Sequence, residues 1–207
     1  MITLYDHPRS GNCHKVRLLL SMLRLPYESR FVEVLKGVHN EPWFVELNPL
    51  KQIPVLTDGP IRVQDSQAIL VYLARRYGPE WLPDDAEGLA RAMEWLSFAA
   101  NEIGNSLQPA RLFFIVGEHT DIALAQARGM RALGHLDARL ADRDWLAAER
   151  ATVADLACFP YVGLSGEGRL PLDEFRHVGA WIERIRQLPG YVAMAGLPEA
   201  PPVGALA

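Results

Sequence analysis

The pattern of apolar and polar positions predicts short alternating strands and helices at the start of the chain. Residues 2–5 form a short strand pattern, and residues 6–12 form a loop rich in Pro, Gly, Ser and Asn. Apolar side chains then recur at helical spacing over residues 13–23, and Pro26 ends that helix. A second strand pattern covers residues 31–34. The pattern therefore predicts a βαβ unit whose loop leads into a helix N-terminus.

The remainder of the chain divides at a short linker. A helical pattern runs from Ser66 to Gly78, with basic residues in its last turn and glycine as the stop. Beyond it, strand patterns nearly vanish, and helical patterns cover residues 89–98, 121–140 and 171–187. We therefore expect an α/β domain over residues 1–78, a linker over 79–86 and an all-helical domain over 87–207.

One further helix is predicted by its first residues. Thr152 is a good N-cap, and Asp155 stands at the capping-box position with a shortened acid. The run that follows, residues 156–159, is apolar nearly all round, which predicts a central, buried helix. The proline-rich tail from Pro198 is predicted to be irregular.

Composition excludes several classes of protein. The 207 residues carry a net charge of -4, with a sequence pI near 5.9, which argues against a nucleic-acid surface. Two cysteines are too few for a disulfide scaffold, and the six histidines show no metal-ligand spacing. The start of the chain lacks the features of a signal peptide, and no apolar run approaches the ~20 residues that span a bilayer. We expect a cytoplasmic protein that binds neither nucleic acid, membrane nor metal.

The most informative segment is Ile53-Pro54 followed by Asp65-Ser66. A cis proline at a strand start would turn the backbone N–H and C=O of Ile53 outward, toward an extended peptide. Asp65 and Ser66 precede a helical run, where a carboxylate takes an ammonium and helix N–H groups take a carboxylate. The pattern predicts a site for a small zwitterionic peptide, with a simple turn proline as the alternative.

Six motifs in this order resemble the cytosolic glutathione transferase family, in particular its bacterial, theta- or beta-like members. They are residues 10–17, Leu35-Lys36-Gly37-Val38-His39, Asn48-Pro49 with Ile53-Pro54, Gln64-Asp65-Ser66, residues 152–155 and residues 188–191. The resemblance implies a thioredoxin-like N-terminal domain and an all-helical C-terminal domain. It also implies a homodimer with a detoxification role, and glutathione as co-substrate with no other cofactor.

The resemblance assigns the activation of the glutathione thiol to the loop before the first helix. Ser10 aligns with the activating serine, and Tyr5 is the rival hydroxyl donor. Asn12 is a second candidate donor to the sulfur. Cys13 stands where a thioredoxin-type motif has its second cysteine, and a helix N-terminus lowers a thiol pKa, so a redox role for Cys13 is also considered. A serine that only caps the helix is the alternative reading of Ser10.

The binding residues also follow from the resemblance. Ile53, Pro54, Asp65 and Ser66 would hold the cysteinyl and γ-glutamyl parts of glutathione. The glycyl carboxylate would be met by residues from two loops, namely His39, Lys51 and Gln52. A hydrophobic second substrate would lie between the domains, against His7, Pro8, Arg9, Phe98, Arg111 and Phe114.

The implied reaction is attack of the glutathione thiolate on the electrophilic carbon of a hydrophobic substrate, as in alkyl or aryl transferases. Two alternatives stay open at this point. One is a glutathione-dependent disulfide reductase or peroxidase, which Asn12 and Cys13 favour and serine at position 10 disfavours. The other is a non-catalytic binding protein of the same fold.

Overall fold

The computed structural model describes residues 1–199, and its first part is built around a mixed sheet of four strands. The elements of this part are β1 (Ile2–Asp6), α1 (Gly11–Met22), β2 (Tyr27–Phe31), α2 (Pro42–Leu47), β3 (Val55–Asp58), β4 (Ile61–Gln64) and α3 (Ser66–Tyr77). The strand order is β2-β1-β3-β4, in which β1 and β2 are parallel and the other neighbours antiparallel. Together with the helices that follow, this arrangement confirms the predicted thioredoxin-like domain.

The second part of the described chain is helical. Its elements are α4 (Ala86–Phe98), a π-helical stretch (Ala99–Ile103), α5 (Leu107–Val116), α6 (Ile122–Arg139), α7 (Val153–Gly163) and α8 (Arg176–Arg186). Over residues 1–199, no helix has the length and apolar character needed to cross a membrane. The all-helical C-terminal domain is therefore confirmed for the described residues.

The central helix of the helical part is α7, and the two parts meet on it. Helices α1, α3 and α4 all pack against α7, and all its residues except the last are buried. Thr152 and Asp155 form the predicted capping box at its start. The buried Asp155 carboxylate also accepts hydrogen bonds from the Leu146 N–H and from Trp181 Nε1, both at 3.0 Å. This network fixes the helix on which the first domain rests.

Two predicted elements lie elsewhere in the structure. The strand expected at residues 31–34 is wrong, because β2 covers Tyr27–Phe31. This strand pairs on one side only and is largely polar, so its sequence lacks the apolar pattern by which a strand is predicted. The last helix begins at Arg176 rather than 171, since the Asp137 carboxylate accepts the N–H groups of His177 and Val178 there.

The linker lies between the end of α3 at Tyr77 and the start of α4 at Ala86. The boundaries expected from the sequence, 1–78, 79–86 and 87–207, stay predictions. Residues 200–207, which include most of the tail predicted to be irregular, lie outside the described part of the chain.

Candidate functional site

The N-terminus of α1 is capped by Ser10. Its Oγ accepts a hydrogen bond from the Cys13 N–H at 3.2 Å, and its backbone lies in the extended region. Cap residues of this type have an accepting side chain because the first N–H groups of a helix lack intrahelical partners. The bond to Cys13 uses a lone pair of the hydroxyl, so the Ser10 O–H remains available to donate. The geometry thus accommodates both capping and donation to a sulfur.

The loop before Ser10 is held by one arginine from α1. Arg17 contacts the Asp6 carboxylate at 2.5 Å and donates to the carbonyl oxygens of His7, at 3.3 Å, and Pro8, at 3.0 Å. The Ser10 N–H donates to the His7 carbonyl at 2.9 Å, which closes the turn. These contacts set the position of the Ser10 hydroxyl relative to the sheet.

The predicted proline turn has the expected form. The Ile53–Pro54 peptide bond is cis. Asn48, which is buried, donates its amide to the Gln52 carbonyl at 2.8 Å and accepts the Leu50 N–H at 3.0 Å, so it holds the preceding loop. Within residues 1–199 the backbone N–H and C=O of Ile53 have no hydrogen-bond partner. They are available to an extended peptide, as strand addition requires.

The N-terminus of α3 carries the second predicted polar group. Asp65 has a positive φ of 74° and caps the helix by accepting the N–H groups of Gln67, at 2.9 Å, and Ala68, at 3.0 Å. A positive φ at a residue other than glycine is uncommon and often marks a functional position. Ser66 is buried, and its Oγ lies 2.6 Å from the side-chain amide of Gln67.

These groups meet in a cavity of about 600 Å³ between the sheet domain and the helices. The candidate residues on its wall are His7, Arg9, Ser10, Asn12, His39, Lys51, Gln52, Ile53, Asp65 and Arg111. His39 has a buried Nδ1 without a partner among the described residues, while its Nε2 lies 3.3 Å from the Asn40 amide. One cavity therefore brings together most of the residues that the sequence nominated from distant segments.

Several candidate residues are not on the cavity wall. Pro54 and Ser66 are buried directly beside wall residues. Pro8 is exposed outside the cavity. Phe98 instead packs against Trp95 and His135, and the Phe114 ring lies 4.1 Å from the guanidinium carbon of Arg169. The structure does not bring Pro8, Phe98 and Phe114 to the cavity wall, and their place in a second-substrate site stays a prediction.

Cys13 is fully buried in the first turn of α1 and is absent from the cavity wall. Burial raises the pKa of its thiol to about 12, and the nearby Asp6 carboxylate acts in the same direction. A hydrogen bond with the Ser10 side chain, a hydrogen bond with the His7 backbone and the charge of Arg17 oppose this shift of the thiol pKa but do not outweigh it. The thiol is therefore protonated at neutral pH and shielded from a substrate.

Comparison with known proteins matches both halves of this architecture. Residues 4–81 match the family model for the glutathione S-transferase N-terminal domain, and residues 108–189 match the model for the C-terminal domain. "Glutathione S-transferase D7" of Anopheles gambiae is 31% identical, covering 88% of this chain and 85% of the relative. The chain belongs to the glutathione S-transferase family.

Other relatives in the glutathione S-transferase family extend the comparison. "Disulfide-bond oxidoreductase YfcG" of Escherichia coli is 31% identical, covering 91% of this chain and 92% of the relative. The crystal structure of a possible glutathione S-transferase from Rhodopseudomonas palustris has a TM-score of 0.89 at 31% identity, covering 95% of this chain and 99% of the other. A family member from Pseudomonas fluorescens, solved with two glutathione bound, has a TM-score of 0.79 at 30% identity, covering 88% and 87%.

The cavity of this glutathione S-transferase family member has further wall residues, which the sequence analysis did not name individually as site candidates. They are Val34, Leu35, Gln67, Ala99, Ala100, Gly104, Gln108, Leu112, Ile115, Val116, Glu118 and Tyr161. Leu112, Ile115 and Val116 share one face of α5 at helical spacing, which is a signal the sequence does carry. Tyr161 lies on α7 within a continuous apolar run, which predicts burial but does not indicate that this side chain reaches the cavity.

Tyr161 connects the two domains at the candidate site. A Cβ placed on Gly11 would lie 2.8 Å from the Tyr161 ring, so any other residue at position 11 would require the ring or the helix to shift. Burial raises the pKa of the Tyr161 hydroxyl, which therefore stays protonated. The first residue of α1 thus lies directly against the Tyr161 side chain of α7. Within residues 1–199, no cluster of three or more His, Cys, Asp or Glu side chains suited to a metal ion is found.

Proposed function

We propose that the protein transfers glutathione to the electrophilic carbon of a hydrophobic substrate. The observation that carries the proposal is the division of the cavity into two walls. Ser10, Ile53 and Asp65 lie on the wall formed by the sheet domain, and the apolar face of α5, with Leu112 and Ile115, lies on the other. A peptide thiol and an apolar electrophile can therefore meet at the N-terminus of α1.

Glutathione is expected to lie along the first wall in an extended form. The free backbone N–H and C=O of Ile53 pair with its cysteinyl part. Asp65 binds the ammonium of the γ-glutamyl part, and Ser66 with the N-terminus of α3 binds the carboxylate of that part. His39 and Lys51 receive the glycyl carboxylate, since Gln52 is neutral. Each charge of the peptide thus has a partner of opposite charge or a set of N–H donors.

The chemical step requires the thiolate. A free cysteine thiol has a pKa of ~8.5, and lowering it by about two units needs ~2.7 kcal/mol of preference for the anion. A charge-assisted hydrogen bond from Ser10 contributes ~1.5–3 kcal/mol, and the helix N-terminus adds ~0.3–1 kcal/mol. The thiolate then forms the carbon–sulfur bond while the leaving group departs with the bonding electrons. Asn12, on the same wall, is the second candidate donor to the sulfur.

Glutathione-dependent disulfide reduction is the second candidate function. It is favoured by the similarity to a protein named as a disulfide-bond oxidoreductase and by the position of Asn12 on the wall. In this reaction one glutathione thiolate attacks the disulfide and releases a thiolate, and a second glutathione resolves the mixed disulfide to give glutathione disulfide. Both thiols would come from glutathione, because the buried Cys13 thiol is neither accessible nor ionised.

We also propose a cytoplasmic homodimer with a role in detoxification, as the sequence resemblance implies. An apolar groove between α3 and α4, lined by Val71, Met93 and Leu96, supports self-association, and Met93 is 46% exposed in the single chain. Light scattering at micromolar protein concentration measures the mass directly. A monomer would contradict this part of the proposal.

The experiment for the main proposal has two stages. Retention on glutathione-agarose tests binding, and parallel assays with 1-chloro-2,4-dinitrobenzene and hydroxyethyl disulfide then separate the two reactions. We expect retention, and faster turnover of the chloronitrobenzene. Faster turnover of the disulfide would establish the second candidate, and retention with neither activity would indicate a binding protein.

A matched pair of variants tests whether retention uses this cavity. Asp65→Asn removes the charge that is expected to meet the ammonium, while the amide oxygen still caps α3. Asp85→Asn makes the same change at the cap of α4, where the carboxylate accepts the Gly88 N–H at 2.7 Å away from the cavity. We expect loss of retention for Asp65→Asn only. Equal retention of both variants would remove Asp65 from the binding site.

A further inference from the structure

Arg111 is a buried cation with an unused donor at the cavity. It lies on α5, and only 2% of its surface is exposed. Its Nε donates to Glu167 Oε2 at 2.5 Å, and its Nη1 donates to the Arg9 carbonyl at 2.9 Å. Its Nη2 is buried and has no hydrogen-bond partner within residues 1–199. A buried charged donor without a partner is rare in native proteins and needs an explanation.

The surroundings favour an anion at this position. Arg111 is on the wall of the cavity, beside the apolar face of α5. Its pairing with Glu167 and the Arg9 carbonyl holds the planar guanidinium in one orientation. The charged N–H groups of Nη2 remain without a partner and suit a carboxylate oxygen. The charges of glutathione are already matched by residues of the opposite wall in the proposed function. The donor of Arg111 is therefore left for the second substrate.

We propose that Arg111 binds an anionic group, of carboxylate geometry, on the second substrate of this enzyme. The substrates would be amphipathic, with an apolar electrophilic body packed on Leu112 and Ile115 and an acidic group held at Nη2. The inference rests on the proposed function in one respect, because it takes the second substrate to share the cavity with glutathione. It identifies organic acids, rather than neutral hydrocarbons, as the substrate class to screen.

The experiment uses binding rather than turnover. The probes are S-benzylglutathiones that carry a carboxylate at the ortho, meta or para position, each compared with its neutral carboxamide of nearly the same shape. Calorimetry on the wild-type protein measures both dissociation constants. We expect at least a tenfold preference for the carboxylate at one ring position, and a smaller preference at higher salt. Equal affinity for acid and amide at all three positions would overturn the inference.

Two variants test which arginine causes the preference for the carboxylate over the carboxamide. Arg111→Met keeps an apolar stem in place of the guanidinium and is expected to reduce the preference to less than threefold. Arg9→Met removes the other arginine on the wall and is expected to leave the preference intact, since Arg9 is exposed. A preference lost in Arg9→Met and kept in Arg111→Met would assign the anion to Arg9 and overturn the inference. Unfolding of Arg111→Met would leave the acid–amide comparison on the wild type unaffected.

Failure of the proposed function can be told apart from failure of this inference. Benzoate and benzamide, titrated without any glutathione, test the anion site by itself. Binding of benzoate but of no glutathione derivative would leave the Arg111 site standing and reject glutathione as co-substrate. The role of Arg111 alone would be rejected if the glutathione derivatives bind, but the protein prefers neither their carboxylates over their carboxamides nor benzoate over benzamide.

Discussion

The substitution Ser10→Ala separates two roles that the structure allows for one hydroxyl. Ser10 Oγ accepts the Cys13 N–H at 3.2 Å, so alanine removes a helix cap as well as the proposed donor to the thiolate. Loss of such a cap typically lowers the free energy of unfolding by ~0.5–2 kcal/mol. For a chain of this size, 1 kcal/mol shifts Tm by about 2–4 °C. A lower Tm alone would therefore say nothing about catalysis.

The catalytic part of the effect appears in the pKa of bound glutathione. A charge-assisted hydrogen bond of ~1.5–3 kcal/mol corresponds to about one to two pKa units. We expect Ser10→Ala to raise the thiol pKa by that amount, to lower kcat/KM near neutral pH and to recover activity in part at higher pH. The affinity for glutathione should change little, since Ile53 and Asp65 hold the peptide elsewhere. Thiolate absorbance of the complex, titrated against pH, measures the shift.

Three control variants decide between the two roles. Ser10→Gly removes the hydroxyl but weakens the cap by only a few tenths of a kcal/mol, and Ser10→Thr keeps both functions. Asp121→Ala removes the cap of α6, which accepts the Leu124 N–H at 3.0 Å far along the chain from Ser10. Among these three controls, we expect the pKa of the bound glutathione thiol to rise only in Ser10→Gly. A wild-type pH–rate profile in Ser10→Gly would refute the reasoning, and Asn12 would be tested next.

Three further predictions follow from the described contacts. Asp65→Ala is expected to raise the KM for glutathione at least tenfold, because it removes a charge-assisted bond of ~1.5–3 kcal/mol; an unchanged KM would contradict its role. Cys13→Ser should keep conjugation within about threefold, since the thiol is fully buried, and selective loss of disulfide reduction would instead support a redox role. Burial lowers the pKa of the His14 side chain to about 3 in the folded protein, whereas its value in the unfolded chain is ~6.5. The free energy of unfolding therefore decreases as the pH falls below ~6.5, because the unfolded state then binds a proton that the folded state does not bind. From pH 7 to 5 the loss is about 2 kcal/mol, and denaturant titrations of His14→Gln should show a smaller loss over that interval than the wild type.

The part of the site predicted from sequence is the part that local chemistry determines. Ile53-Pro54 could be recognised because proline limits where a strand begins, and the cis bond is present. Ser10 at the start of α1 and Thr152 at the start of α7 are caps that a few neighbouring residues specify. Asp65 at the start of α3 belongs to the same class. These elements need no knowledge of the tertiary structure.

The rest depends on contacts between distant segments. Glu167 orients Arg111 from 56 positions away, and nothing in the local pattern pairs them. Phe98 is expected on the cavity wall from its position in the chain, but in the structure its ring stacks on His135 of α6. Tyr161 lies within an apolar run that predicts burial without showing what the ring touches. Side-chain direction across a domain boundary is a tertiary property, and residue spacing does not encode it.

The close approach of Gly11 to Tyr161 has a consequence for chimeric proteins. The first turn of α1 and the central helix α7 of the other domain share a contact in which the present position of the Tyr161 ring leaves no room for a methyl group on Gly11. A chimera that joins the first half of one relative to the second half of another must therefore inherit compatible residues at both positions. A larger ring or a side chain at position 11 would displace the turn that carries Ser10. The effect of a substitution at position 11 is therefore expected to depend on the residue at position 161, although the two positions belong to different domains.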